Sequence, residues 1–158
     1  MKHWEIIVVI CSILFFGFLF SRDSLANLVW QKYRRPDVAL VLAVRDTKLL
    51  MNLGNYYFNG GAYDLEKSKQ AYEKAIGAST STPPLWAHYQ LGRIYFVEGD
   101  FERALEEVNK ELEAYPGNFR SLYVRGLVYG YRGYPGDIEK AEADFRRFTQ
   151  WAPREWAG

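Results

Sequence analysis

Leu91-Gly92-Arg93-Ile94-Tyr95, followed by Gly99-Asp100-Phe101-Glu102-Arg103-Ala104, decides how this chain folds. The first run carries a glycine and, three residues on, a tyrosine; the second is a glycine break, an aspartate and a fresh helix start. Outward from it, the same pair of signals recurs on both sides. Leu53-Gly54 with Tyr57 precedes Asp64-Leu65-Glu66-Lys67, and Arg125-Gly126 with Tyr129 precedes Asp137-Ile138-Glu139-Lys140. Residues three apart share a helical face, so the glycine admits a neighbouring helix while the tyrosine fills the adjoining gap. Glycine inside a helix costs about 1 kcal/mol against alanine, so three at one register imply a packing reason. Each aspartate can accept from the free N–H groups of the first turn, and the Glu two residues on suits the positive helix end. Breakers stand before each aspartate: Gly60-Gly61, Gly99, and Gly133 with Pro135-Gly136. A helix-turn-helix unit of about 34 residues, met three times, predicts a stacked helical array and not a globular enzyme core.

On these residues the chain resembles the tetratricopeptide repeat family. The middle unit matches at Leu91, Gly92, Tyr95, Gly99, Asp100, Ala104 and Pro116, with His88 where the family prefers tryptophan. The third keeps Leu122, Gly126, Tyr129, Ala141, Phe145, Phe148 and Pro153, with extra residues around Tyr134-Pro135-Gly136. The first keeps Leu50, Leu53, Gly54, Tyr57, Tyr72 and Ala75, has extra residues near Gly60-Gly61, and places Ser68 where the family has alanine. The resemblance implies an all-α α-solenoid of three repeats, at about 47–82, 85–118 and 119–155. It also implies a concave groove lined by the first helix of each pair. Its positions fall on Met51, Asn55 and Phe58, then Trp86, Tyr89, Arg93 and Phe96, then Arg120, Tyr123, Leu127 and Tyr131. The partner-binding candidates among them are Asn55, Phe58, Trp86, Tyr89, Arg93, Phe96, Arg120, Tyr123 and Tyr131. Rings interleaved with guanidinium groups suit an extended peptide, since rings bury apolar side chains and Arg93 and Arg120 donate to a carboxylate or carbonyl. The alternative is that several rings belong to the core. Co-chaperone repeats clamp a C-terminal carboxylate with a set of Lys, Asn and Arg side chains. At the matching places this chain has Met51, Asn55, Gln90, Arg120 and Val124, and Asn55 alone is identical, so chaperone-tail binding is not expected.

Ile6 to Phe20 is an apolar run relieved by Cys11, Ser12 and Gly17, with Lys2, His3 and Trp4 before it and Arg22 after it. It can be read in two ways. As a transmembrane anchor over residues 1–23, it has interfacial Trp4 and a snorkelling Arg22, and makes the chain a single-pass protein of the plasma membrane, embedded through residues 6–20. As a signal peptide, it is cleaved after Ser24-Leu25-Ala26. The charged Arg22-Asp23 and the bulky Phe15-Phe16-Gly17-Phe18-Leu19-Phe20 favour the anchor. Arg22, Lys32, Arg34 and Arg35 place the repeats inside by the positive-inside rule, whereas short N-terminal anchors often export the domain behind them; both orientations stand. Cys11 has no partner for a disulfide and serves as apolar filler.

Residues 24–46 form a helical lead-in. Ser24 to Tyr33 reads as a short helix with Ser24 as its cap, broken by Arg34-Arg35-Pro36-Asp37. Val38 to Val44 is apolar throughout, which predicts a helix starting at Pro36, buried on all sides beneath the array and continuous with the first repeat helix; the alternative is a second membrane contact, by a run too short to span. At the other end, arrays usually close with a helix whose outer face is polar. Phe145, Phe148 and Trp151 on the last helix need cover. Either the tail folds back with Trp156 as a plug, or this uncapped end self-associates or meets a partner.

Net charge is +1, which excludes a strongly electrostatic mode such as general nucleic-acid binding. No Cys-His pair, His-x-x-x-His or phosphate loop occurs, so no catalytic residue, metal site or cofactor is expected. His88 reads as a core or groove-edge imidazole. Glu98, Asp100, Glu102, Glu106, Glu107, Glu111 and Glu113 read as a solvated face. The expected function is a non-catalytic, membrane-anchored protein–protein interaction module, a scaffold or assembly factor. The alternatives are an exported glycan or envelope-polymer binder using its aromatic groove, or a stable accessory subunit of a membrane complex.

Overall fold

A glycine facing a large side chain is the joint from which each helix pair is built. In the computed structural model, which describes residues 3–59 and 62–152, a Cβ added at Gly54 would lie 2.6 Å from the Tyr72 ring, at Gly92 2.5 Å from Val108 Cγ2, and at Gly126 2.8 Å from the Phe145 ring. The repeated glycine therefore lets the second helix of each pair press a side chain onto the backbone of the first. Ser68, the odd residue at an alanine position, is fully buried and donates its hydroxyl to the Gly54 carbonyl at 2.9 Å.

Among the described residues there are eight helices: α1 His3–Gln31, α2 Pro36–Leu42, α3 Thr47–Asn59, α4 Leu65–Ala78, α5 Ala87–Glu98, α6 Phe101–Ala114, α7 Phe119–Arg132 and α8 Asp137–Trp151. The chain is an all-α solenoid. Helices α3 and α4, α5 and α6, and α7 and α8 form the pairs, and α4 against α5 and α6 against α7 stack them in order. Ala26, Ala39, Leu40, Ala43, Leu49, Leu50, Leu53 and Tyr57 join one core cluster under the first pair, with Val29 and Trp30 of α1 packed onto it. A second cluster runs from Phe58 and Tyr72 through Leu91, Ile94, Ala104 and Val108 to Val124 and Val128.

Four local expectations are corrected. Ser24 does not cap a new helix: α1 runs unbroken to Gln31, because Ser21-Arg22-Asp23-Ser24 contains neither glycine nor proline to stop it. The Val38–Val44 run is not buried all round and does not join α3. Pro36 opens α2 as expected, but the helix ends at Leu42, with Val38 40% and Val41 69% exposed. The break has polar causes: Asp23 accepts from the Val44 N–H at 2.7 Å, and Asp46 accepts from Leu49 N–H at 2.9 Å and so caps α3. Third, Asp64 and Asp100 cap α4 and α6 by accepting from the Lys67 and Arg103 N–H groups, but Asp137 does not repeat this. Gly136, at φ +82°, holds that cap position, and Asp137 turns back to accept from Arg132 and from Tyr134 N–H. The Arg132 guanidinium holds the Asp137 carboxyl down to about 2, against the opposing effect of burial. Fourth, the acids of α6 are not one solvated face, since Glu111 is fully buried. The expected Trp156 plug, Pro153 and the Gly60-Gly61 turn lie outside the described residues. Helix α1 includes a stretch long and apolar enough to cross a membrane.

Candidate functional site

The first helices of the pairs supply most of one open groove of about 700 Å³. Phe58 from α3, Tyr89, Arg93 and Phe96 from α5, and Arg120 and Tyr123 from α7 come together along it, with Leu127. Phe58 is only 5% exposed and belongs mainly to the core, so it forms floor and not surface. Burial likewise pushes the Tyr89 phenol above its ordinary pKa, with Arg93 and Arg120 nearby pulling the other way.

Both arginines lie on rings. The Arg93 guanidinium is 4.7 Å from the Phe58 ring centre and 5.7 Å from that of Tyr89, and Arg120 is 5.3 Å from Trp86. Arg93 also donates to Gln90 Oε1 at 2.8 Å, Gln90 donates to Asn55 Oδ1 at 3.0 Å, and the Tyr72 hydroxyl donates to the same oxygen at 2.8 Å. This ladder fixes Arg93 on the groove wall, while Asn55 supports it through Gln90 and does not itself line the groove. Tyr131 stands edge-on to Phe96 at 5.3 Å and is 71% exposed, flanking the groove.

Trp86 does not line this groove but a separate surface cleft with Leu85, Tyr115 and Phe119, and it takes a left-handed backbone conformation, φ +76°, which costs a bulky residue on the order of 1–3 kcal/mol. Glu111 holds it there: its carboxylate accepts from Trp86 N–H at 2.9 Å, from Tyr89 N–H at 3.2 Å and from the Asn118 amide at 3.0 Å. One buried acid thus ties the start of α5 to the cap of α7 and sets Trp86 edge-on, at 5.4 Å, to the groove residue Tyr89. His88 and Glu107 meet at 2.7 Å between α5 and α6, away from the residues that line the groove.

Sequence reasoning missed Val97, put Glu111 on a solvated face, took Phe148 as a ring in need of cover, and weighed Val124 only as a clamp position. Val97, Val124 and Phe148 all line the groove, Phe148 reaching it from the second helix of the last pair. It packs 5.1 Å from Tyr123 and 5.9 Å from Phe119. The signal for it was its spacing from Phe145, which puts both rings on the face of α8 turned to α7.

No family model matches the chain. Over 110 residues, 64% of this chain, it is 31% identical to the Photosystem I assembly protein Ycf3 of Acaryochloris marina, and the match spans 64% of that protein. Over 109 residues, 61% of this chain, it is 28% identical to the peptidyl-prolyl cis-trans isomerase PASTICCINO1 of Arabidopsis thaliana, of which the match spans 16%. The chain therefore spans less than two thirds of either relative. Two crystal structures of MamA share its fold at 20% identity: one superposes with a TM-score of 0.64, covering 89% of this chain and 81% of MamA, the other with 0.57, covering 85% and 77%.

Proposed function

Because the chain is a tetratricopeptide-repeat protein, we propose that it is a non-catalytic interaction module, a scaffold or assembly factor, that is anchored in a membrane by α1 and holds an extended peptide segment of a protein partner in its groove. The observation that carries this reading is the pair Arg93 and Arg120 on the wall of an otherwise largely apolar groove. An apolar side chain of the partner fills the space over Tyr89, Tyr123, Leu127 and Phe148, while the two guanidinium groups donate charge-assisted bonds to a carboxylate or backbone carbonyl beside it.

The ring geometry favours a peptide over a glycan. Sugar stacking needs flat, uncovered faces, whereas Arg93 covers Phe58 and Tyr89, Arg120 lies over Trp86, and Trp86 with Tyr89 and Phe96 with Tyr131 meet edge-on. The assembly role in the name of Ycf3 agrees with a scaffold; the isomerase name of PASTICCINO1 belongs to a protein of which the match spans 16%.

The uncleaved anchor is supported by what a cut after Ala26 would remove. Ala26 is fully buried within α1, and Asp23, just before it, bonds the Val44 and Arg45 N–H groups. The intact protein should stay with membranes through carbonate extraction; a mature N-terminus at Asn27 sinks the anchor. For the groove, peptides selected on the full-length protein in detergent should carry an apolar residue next to a carboxylate. Arg93→Glu should weaken the best of them about tenfold, a change of roughly 1.4 kcal/mol. Unchanged affinity removes Arg93 from the site.

A further inference from the structure

Helix α1 cannot lie wholly in a bilayer, because its last third is part of the array. Ala26 is fully buried and Val29 and Trp30 pack on the core. The lipid-accessible part thus ends near Arg22. From Trp4 to Ser21 the helix covers roughly 27 Å at 1.5 Å per residue, just short of a hydrocarbon core of about 30 Å. No length is left over for a spacer, so Arg22 falls at the lipid headgroups.

Since α1 is unbroken, everything bonded to it at that level is held there too. Arg22 Nη2 donates to the Val41 carbonyl at 3.1 Å, and the Arg45 guanidinium reaches back over Phe16, 5.5 Å from its ring centre. Phe16 is six residues before Arg22, so Arg45 reaches the lipid-accessible part of α1. The end of α2 and the turn into α3 are therefore pressed to the bilayer side of the array. Here Val41 is 69% exposed, and Lys74 and Arg45 line an open cleft of about 520 Å³ with the small residues Gly77, Ala78 and Ser79. The nearby acids face inward: Asp23 bonds Val44 and Arg45 N–H, and Asp46 bonds Asn27 and Leu49 N–H. Lys74, whose ammonium donates to the Leu40 carbonyl, is pushed below the ordinary lysine range by burial and then by Arg22, with Asp23 pulling the other way.

We propose that this junction is a headgroup seat: Val41 enters the interface, and Arg22, Arg45 and Lys74 contact the phosphates of anionic phospholipids, so that the repeat array is clamped to the membrane surface at a fixed angle. The proposal rests on the anchor reading above. An anionic leaflet attracts juxtamembrane cations, and a rigid helix turns that attraction into orientation.

Spin labels placed in a Cys11→Ser background test it with the full-length protein in vesicles of phosphatidylcholine with and without phosphatidylglycerol. Labels go at Val41→Cys, at Phe15→Cys as the deep reference and at Glu139→Cys as the aqueous one. With phosphatidylglycerol present, the Val41 label should be severalfold less accessible to a water-soluble nickel relaxer than the Glu139 label. Arg45→Glu, at an exposed side chain on which no backbone bond depends, should return most of that difference, and Arg45→Glu with Lys74→Glu all of it, with the Phe15 label still deep. A Val41 label as wet as the Glu139 label while Phe15 stays deep overturns the seat and leaves the anchor. A wet Phe15 label overturns both. A Val41 label equally protected in pure phosphatidylcholine and after charge reversal overturns the role of the cations.

Discussion

Glu111 on α6 and Phe148 on α8 stand at the same step of their helices, eleven residues after Asp100 and Asp137, and they do opposite things. Glu111 is wholly buried and gathers three N–H donors from α5 and the cap of α7. Phe148 lies half-buried on Phe119 and Tyr123 and opens onto the groove. The repeat frame fixes where that side chain points, namely at the start of the first helices. Residue chemistry then decides whether the spot becomes an internal clamp or a surface for a ligand. In the middle repeat the following pair covers the position; among the described residues no helix comes after α8 to do so.

The largest effect is expected at the clamp. Glu111→Ala strands the Trp86 and Tyr89 N–H groups and the Asn118 amide, and should lower unfolding free energy by roughly 3 kcal/mol in urea titrations. Glu111→Gln, which keeps one acceptor oxygen, should lose less. If Glu111→Ala were as stable as the wild type, the contrast with Phe148 would collapse, since the acid would then not hold Trp86 in its left-handed conformation.

The glycines sharpen the same contrast. A Cβ at Gly92 meets Val108 Cγ2 at 2.5 Å and the Ala104 carbonyl oxygen at 3.2 Å, a stiff side chain and immovable backbone. At Gly126 the nearest atoms it meets are those of the Phe145 ring, from 2.8 Å. Gly92→Ala should cost about 2 kcal/mol and Gly126→Ala about half as much, because one ring can shift where a β-branched side chain on a helix cannot. Equal losses would mean that the last pair is as tightly closed as the middle one. Phe148→Ala should come next, at about 1–2 kcal/mol of stability, together with a severalfold loss of affinity for a groove-selected peptide. A stability loss without any affinity loss would assign Phe148 to the core alone.

These residues also mark how far the sequence could be read. The pairs were legible because a helical glycine makes sense only opposite a large side chain, and Tyr72, Val108 and Phe145 supply it at matching steps. Most groove candidates were legible by family register, and six of the nine meet in one groove. Glu111 was not, because on an amphipathic helix rich in acids nothing local separates the one that turns inward from those in water; its partners lie on two other helices. The α2 break was hidden for the same reason: its cause is Asp23, far back on α1. Asp137 copied the cap pattern of Asp64 and Asp100 but had Arg132 within reach, and the competing partner won.

The smallest effect separates the two repeats by titration. Seven residues after their aspartates, the middle repeat carries Glu107 and the last carries Asp144. Asp144 receives two bonds from the Arg125 guanidinium, at 2.7 Å each. Glu107 lies 2.7 Å from His88 and accepts from Lys110 at 2.8 Å. Burial opposes ionisation of Glu107, but these bonds outweigh it and hold its carboxyl below the ordinary glutamate range. A carboxyl with a lower pKa folded than unfolded adds stability that is present above the unfolded value, about 4.3. That stability is lost as pH falls through the unfolded value toward the folded one. Urea unfolding from about pH 7 to about pH 3 should therefore show a decline whose Glu107 share is confined to the region below about pH 4.5. Glu107→Gln should remove that share and leave the remainder of the profile parallel to the wild type. If the two profiles superimpose in shape down to about pH 3, the His88 and Lys110 bonds do not favour the ionised Glu107, and the middle repeat loses its titrating contact.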